Sequence, residues 1–356
     1  FMHEGYAVAG YDRTATPLTR ELEAEGALVH YEDDVELIPE TMRSKDDTLV
    51  VLTPAIPADH KEWAWLRAEG FTIEKRSAML GVLSEGKLSM AVAGTHGKTT
   101  TSTLAAWLNY AAAKEGSAFL GGISRNFASN LVLGEGNRLV VEADEYDRSF
   151  LRLYPDVAVI TAADADHLDI YGTHEAYLES FAHFTSLIVD GGSLFVKKGI
   201  QLDPRTSDKV AIYTYSGTEQ ADFYADNIRL GAGRLVFDFV TPDERIADVE
   251  LGVPVMINVE NAVAAMAIAY SCGVEADELR SAMASFAGIR RRFDFHLRTD
   301  KLTVIDDYAH HPDELAATIE AVRTMNYKRV VVAFQPHTYT RTISLLDEFA
   351  SSLSKN

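Results

Sequence analysis

Cysteine is almost absent. Cys272 is the single thiol among 356 residues, which excludes an intrachain disulfide and suits a reducing cytoplasm. Positive charge is also scarce: 33 lysines and arginines against 53 aspartates and glutamates leave a net charge of −20. Such a surface repels nucleic acid and anionic membranes, so neither is an expected partner, and an anionic substrate needs locally positive sites. No apolar run approaches the ~20 residues of a membrane-spanning helix, so no membrane insertion is expected. Internal repeats and low-complexity tracts are missing too. The opening Phe1-Met2-His3-Glu4-Gly5-Tyr6 reads as a helix end and not as a signal peptide. What remains is ordinary for a globular protein, 47% hydrophobic and 24% charged, and long enough for two or three domains.

Strand and helix signals alternate along the chain, which argues a parallel sheet covered by helices. Strands are expected over Tyr6–Tyr11 and Thr48–Leu52, with helices over Pro17–Glu25, Asp59–Glu69 and Ser77–Ser84. A second unit starts with the strand Lys87–Ala93, and Leu139–Glu142 and Val157–Thr161 read as further strands. The stretch Ser193–Val255 is strand-rich with Gly and Pro turns, and helices Val259–Tyr270 and Ala276–Phe286 close that unit. A third begins near Arg292: hairpin strands Phe293–Leu297 and Thr303–Asp306, helix Pro312–Arg323, strand Arg329–Phe334, and a helix from Ile343.

One further absence is diagnostic. The run Ser89-Met90-Ala91-Val92-Ala93-Gly94-Thr95-His96-Gly97-Lys98-Thr99-Thr100-Thr101 has the strand, glycine turn, lysine, hydroxyl and helix of a polyphosphate-binding loop. An ordinary P-loop has a glycine six residues before the lysine, and here that residue is Val92. The shorter Gly-Thr-His-Gly-Lys-Thr fits kinases and GTPases poorly. Glycines let backbone N–H groups approach phosphate, the helix N-terminus adds positive potential, Lys98 adds a full charge, and Thr99 can hold Mg²⁺. Gly94, Thr95, Gly97, Lys98, Thr99 and Thr100 are therefore the expected nucleotide contacts. A turn of this shape without a ligand is the bland alternative.

Four more constellations stand where such a sheet places chemistry. Glu142-Ala143-Asp144-Glu145 follows a strand, at the carboxyl edge where α/β ligands bind, and Glu142 is a natural Mg²⁺ ligand beside Thr99. Asp147, nearby, reads as a solvated loop acid. Asp164-Ala165-Asp166-His167-Leu168-Asp169 also follows a strand, and His167 among carboxylates can bind a second metal or orient an oxyanion. In Asn258-Val259-Glu260-Asn261 the first asparagine fits a helix N-cap, whereas Asn261 lies inside the helix and can read an adenine edge. Basic and histidine runs complete the set: Arg290-Arg291-Arg292-Phe293-Asp294, Asp306-Asp307-Tyr308-Ala309-His310-His311-Pro312, and Gln335-Pro336-His337-Thr338-Tyr339-Thr340-Arg341-Thr342. Three consecutive arginines in so acidic a chain suggest an anion site, with one or two of them forming surface salt bridges.

Together these motifs resemble the Mur ligases, from Asp12 to Thr342, and most of all the members that add L-alanine. GTHGKTTT, EADEYDRSF, DADHLDIYG, NVENAVAA, GIRRRFDF, DDYAHHP and FQPHTYTRT stand in the family's order and spacing. The resemblance implies an α/β fold of three domains: a Rossmann-like UDP-substrate domain (1–86), a central P-loop-type ATPase domain (87–291) and a Rossmann-like domain (292–356) that closes over the site. It implies a cytoplasmic bacterial enzyme of peptidoglycan precursor synthesis that consumes ATP with two Mg²⁺ ions, and it leaves an oligomer open. ATP phosphorylates the lactyl carboxylate of UDP-N-acetylmuramate, and the amine of L-alanine attacks the acyl phosphate.

Carried over by motif, Lys98 contacts the β/γ-phosphates, Thr99 and Glu142 hold Mg²⁺, and His167 serves the second metal. Asn261 reads adenine, and Arg292 stands near the transferring phosphoryl group, so that Lys98, His167 and Arg292 form the catalytic set. Asp307 and His310 are expected at the nucleotide, with Tyr308, His337 and Arg341 at the substrates. Phe181 occupies the place of the lysine that is carbamoylated in ligases adding D-glutamate or diaminopimelate, which disfavours those siblings. Thr338 stands where L-alanine ligases often have a second arginine. Family members begin with a strand and glycine turn ahead of the position of Phe1 and continue beyond Asn356, so a longer enzyme is expected. The alternatives are a ligase that recycles a whole tripeptide and a non-catalytic UDP-sugar or nucleotide sensor.

Overall fold

The computed structural model describes residues 1–53, 56–57, 59–146, 148–164, 168–231, 233–337 and 339–354. Asp147, Asp166, His167 and Thr338 thus lie outside the described residues. The chain divides into two compact units, Phe1–Leu83 and Ser84–Asn356.

The first unit holds two parallel strand pairs. β1 (Ala9–Tyr11) leads through α1 (Pro17–Glu25) to β2 (Leu28–His30), and β3 (Leu49–Leu52) leads through α2 (Lys61–Ala68) to β4 (Thr72–Lys75), followed by α3 (Arg76–Ser84). α1 starts where Thr16 caps the Thr19 N–H and Pro17 occupies its first turn, and stops at Gly26 with φ 111°. Both signals are local, which is why sequence and structure agree on this helix to the residue.

In the second unit, β5 (Leu88–Ala93) runs into α4 (Lys98–Ala111). β6 (Gly116–Phe119), β7 (Leu131–Val132), β8 (Arg138–Glu142), β9 (Val157–Ile160), α5 (Leu168–Tyr171) and α6 (His174–Thr185) follow. Then come β10 (Ser193–Lys197), β11 (Ala211–Ser216), β12 (Phe223–Gly231), β13 (Arg234–Val240), β14 (Arg245–Glu250), α7 (Ile257–Ser271) and α8 (Ala276–Ala284). All ten strands form one sheet in the order β14-β13-β12-β11-β10-β9-β5-β8-β6-β7, parallel from β12 to β6 and antiparallel at both ends. β5 is apolar on both faces because helices cover both sides of a central parallel strand. α7 is apolar all round, from Ala262 to Ala269, and is buried accordingly against the same core as α4. It begins at Ile257 with Met256 in the cap position, so Asn258 is not the N-cap that its residue type suggested; it is buried in the first turn.

The rest of this unit is a hairpin, β15 (Asp294–Arg298) with β16 (Thr303–Asp306), and helices α9 (Pro312–Arg323), α10 (Tyr339–Ser344) and α11 (Leu346–Ser354). The strand expected over Arg329–Phe334 is not formed. A cavity of about 1170 Å³ separates this segment from β16 and α9, and Val331 is 74% exposed. A strand needs a ladder partner for its N–H and C=O groups, and among the described residues no strand pairs with this segment.

Candidate active site

β5 lies between β8 and β9, and register fixes what meets at its carboxyl end. Val92 pairs with Glu142, and Ala93 pairs with Ile160. The loop Gly94–Gly97 therefore opens between the end of β8, carrying Glu142, and the end of β9, carrying Thr161. This is the crevice beyond the strand ends where open α/β sheets bind ligands.

Two glycines make the loop possible. Gly94 has φ 137°, and a Cβ there would collide with Thr161 Oγ1 and stand 2.7 Å from the Ala162 nitrogen. Gly97 is left-handed at φ 82° and caps α4; a Cβ on it would come 2.7 Å from Asn261 Oδ1. Asn261, 164 positions along from Gly97, is thereby at the phosphate loop, where its Oδ1 accepts from Thr101 Oγ1 at 3.3 Å. The loop is tied to β9: the Thr95 N–H donates to the Ala162 carbonyl at 3.1 Å, and Thr161 Oγ1 donates to the His96 carbonyl.

Thr99 Oγ1 donates to Glu142 Oε1 at 3.0 Å, while Glu142 Oε2 accepts from the Gly121 N–H at 2.8 Å. Adjacent ligands of an octahedral Mg²⁺ lie about 3 Å apart when metal–oxygen distances are near 2.1 Å. Two hard oxygens at that spacing, with phosphate and water completing the shell, fit this cation. Lys98 Nζ donates to the Gly94 carbonyl at 2.7 Å and to Glu145 Oε1 at 2.9 Å. Glu145 is fully buried; burial pushes its carboxyl pKa up, and the Lys98 charge and hydrogen bond oppose that. Thr100 is half-buried on the first turn of α4.

The second group of residues surrounds the arginine run. Arg291 and Phe293 adopt left-handed φ values of 61° and 47°, strained for side chains of that size. Asp307 braces this turn: its carboxylate accepts from the Phe293 N–H at 2.7 Å, the Ala309 N–H at 2.9 Å and Thr318 Oγ1 at 3.2 Å. Burial raises its pKa, those bonds and Arg292 lowering it in part. Arg291 and Arg292 lie 4.5 and 5.3 Å from the Tyr308 ring centroid. The His310 ring is 5.1 Å from that of Tyr308 and 6.2 Å from that of His337. Arg341 is half-buried on α10.

One side chain joins the two groups. Glu314, at the start of α9, accepts from His96 Nδ1 at 3.2 Å and from the His310 N–H at 3.0 Å. Burial would raise its pKa, but the His96 and His310 hydrogen bonds and the nearby imidazoles bring it down to about 2. Sequence reasoning missed Glu314, Thr161 and Tyr177. Glu314 had a signal, since a glutamate three residues after His311 completes a capping box; the other two are placed by the sheet alone.

Comparison with known proteins agrees with this geometry. Three family models match in sequence: the Mur ligase family, catalytic domain at residues 1–87, the Mur ligase middle domain at 92–269, and the Mur ligase, glutamate ligase domain at 291–356. The UDP-N-acetylmuramate–L-alanine ligase of Parabacteroides distasonis is 55% identical over 99% of this chain and 77% of its own length. That of Phocaeicola vulgatus is 51% identical over 99% and 78%. Among solved structures, the UDP-N-acetylmuramate-alanine ligase MurC of Thermotoga maritima superposes with a TM-score of 0.80 at 27% identity, over 99% of this chain and 78% of that one. A murein peptide ligase from Psychrobacter arcticus reaches a TM-score of 0.73 at 21% identity, covering 99% and 84%, and shares the fold. On these matches over nearly its whole length, the chain belongs to the Mur ligase family.

Proposed function

We propose that this chain carries out the ATP-dependent addition of L-alanine to UDP-N-acetylmuramate, in the cytoplasm, as a step of peptidoglycan precursor synthesis. The observation that carries the reading is the meeting of Lys98, Thr99 and Glu142 at one sheet edge in a chain 55% identical to a ligase of that name. ATP phosphorylates the lactyl carboxylate, giving ADP and an acyl phosphate. The neutral amine of L-alanine then adds to the acyl carbon, and collapse forms the amide and expels phosphate. Thr99 and Glu142 would hold a Mg²⁺ ion that would neutralise phosphate charge, and His167 is assigned to a second ion. Lys98 and Arg292 hold negative charge on the transferring group, which is most of what phosphoryl transfer needs. Gly94, Thr95, Gly97 and Thr100 shape the phosphate loop, Asn261 reads the base, and Asp307 and His310 serve the nucleotide through the turn they brace. Tyr308, His337 and Arg341 face the substrates. Domain boundaries follow at 86/87 and 291/292.

Phe181 is fully buried among Phe150 and Tyr177, with ring centroids 5.4 and 5.1 Å away. A carbamoylated lysine has no place there, which sets the chain apart from siblings that use one. Phosphate release should require ATP, UDP-N-acetylmuramate and L-alanine together. Release with L-alanine replaced by a tripeptide, and none with L-alanine, would reassign the chain to peptide recycling; nucleotide binding without turnover on either would make it a sensor.

A further inference from the structure

Lys98 has no spare proton. An ammonium has three N–H donors. The hydrogen bonds of Lys98 go to the Gly94 carbonyl at 2.7 Å, Glu145 Oε1 at 2.9 Å and, at the limit of reach, the Thr95 carbonyl at 3.5 Å, while Glu145 Oε2 stands 2.8 Å from Nζ as an ion-pair contact. A phosphate oxygen can reach this cation only by replacing one of these partners. Glu145 is the partner that cannot follow. Its carboxylate has no solvent exposure, its main-chain carbonyl accepts from the Tyr171 hydroxyl, and its Oε1 accepts from the Tyr177 hydroxyl at 3.4 Å. Tyr177 is in turn bonded to Thr95 Oγ1 at 3.1 Å, so the carboxylate is fixed to the phosphate loop itself. Lys98, on a flexible four-carbon stem and 14% exposed, is the part able to move.

We propose that Glu145 is a positioning residue, the resident counter-ion of Lys98, and that nucleotide phosphate binds by exchanging for one of its two contacts to Nζ. This deepens the nucleotide reading above and rests on it. The exchange has two opposed effects. Phosphate gains less from Lys98 than it would from a free ammonium, and the carboxylate repels it, so ADP is held more weakly. In return Lys98 is already aligned in the loop when the phosphoryl group transfers, with less reorganisation left for the reaction step.

The test measures ADP affinity by calorimetry, melting temperature and turnover in the intact protein and in E145Q, K98A and the double variant K98A/E145Q. E145Q is expected to bind ADP about tenfold more tightly, some 1.4 kcal/mol, while kcat falls at least about tenfold. A merely structural role would lower the active fraction and leave ADP affinity unmoved. In the Lys98→Ala background the same substitution should change ADP affinity by less than about threefold. It should also raise the melting temperature of K98A, because K98A alone leaves a buried carboxylate without its cation. E145D, which withdraws the carboxylate by one methylene, should tighten ADP in the same direction by less, and serves if E145Q does not fold. A folded E145Q that binds ADP no more tightly than the unsubstituted protein overturns the exchange. So does an equal gain with and without Lys98, which would mean simple repulsion. Failure of the unsubstituted protein to bind ADP would instead remove the nucleotide reading, and this inference with it.

Discussion

At one end of the site, Gly94–Thr101 runs from a strand buried on both faces into a helix whose inward side is wholly buried. At the other, His337 and Arg341 sit on an exposed segment and a six-residue helix beside a cavity of about 1170 Å³. Both ends were equally plain as motifs. They differ in what holds them. The phosphate loop is clamped by neighbouring strand ends, with a glycine at each point where a side chain would collide. The arginine–histidine end is held by a strained turn, one half-buried aspartate and ring contacts. Rigid scaffolding therefore belongs to the loop proposed for phosphate, and looser packing to the end proposed for the second substrate.

The largest effect should come from Gly94→Ala, which sharpens that contrast. The new Cβ meets the Thr161 hydroxyl and the Ala162 nitrogen at a φ that alanine avoids. ATP turnover should fall by two orders of magnitude or more, about 3 kcal/mol of transition-state stabilisation, with a lower melting temperature. Val331→Thr, at the exposed end, should stay within about 0.5 kcal/mol of the parent. Equal melting temperatures for the two variants would break the comparison.

Next in size is the metal. With Glu142→Ala, the Mg²⁺ concentration for half-maximal activity should rise at least about tenfold, since a carboxylate is the only charged ligand expected on the protein side of the first ion. An unchanged Mg²⁺ titration would mean that the 3.0 Å Thr99–Glu142 pair is a structural hydrogen bond.

Arg341 tests the looser end. Alanine offers a carboxylate as its strongest handle, and a guanidinium fork matches it with two parallel bonds. Both Arg341→Lys and Arg341→Ala should raise the KM for L-alanine by about tenfold or more, with the ATP KM little changed. If alanine kinetics are untouched in both, Arg341 is a surface arginine.

The smallest effect is on the link between the ends. Glu314 titrates at about 2 in the folded protein against 4.5 for the isolated side chain. A depressed carboxyl stabilises the fold above its unfolded pKa, and that contribution fades as pH falls through 4.5 toward 2. Melting temperature should accordingly drop over this window, and Glu314→Gln should flatten the drop. An unaltered acid limb in the variant would show that His96 and α9 are joined by other contacts.

Legibility followed locality. α1, with its Thr16 cap, Pro17 and Gly26, was readable to the residue; β5, a mostly apolar run before a glycine turn, was readable to within one residue at its start. α6 went unread although Thr173 caps it and Tyr177, Phe181 and Phe184 recur on its buried face. β6 and β7 carry too few apolar residues to show a period, and exist because β8 and β6 supply ladder partners. Arg329–Phe334 shows the converse: Val330, Val331 and Val332 favour a strand, but among the described residues none pairs with them. Within the site, Lys98, Thr99 and Glu142 were legible because a strand end is a good predictor of an exposed functional group. The pairing of Lys98 with Glu145 was not, since nothing in Glu142-Ala143-Asp144-Glu145 tells which carboxylate turns inward.

By itself the amino-acid sequence determined the alternating α/β architecture, the shortened phosphate loop and the family, because glycine conformations, hydrophobic period and motif order are properties of neighbouring residues. Only the tertiary structure decided that Asn261 reaches Gly97, that Glu145 turns inward to Lys98, that Asp307 is occupied by main-chain donors, and that His96 meets Glu314. Each of these depends on strand order and register, which bring together residues tens or hundreds of positions apart and which no local pattern encodes.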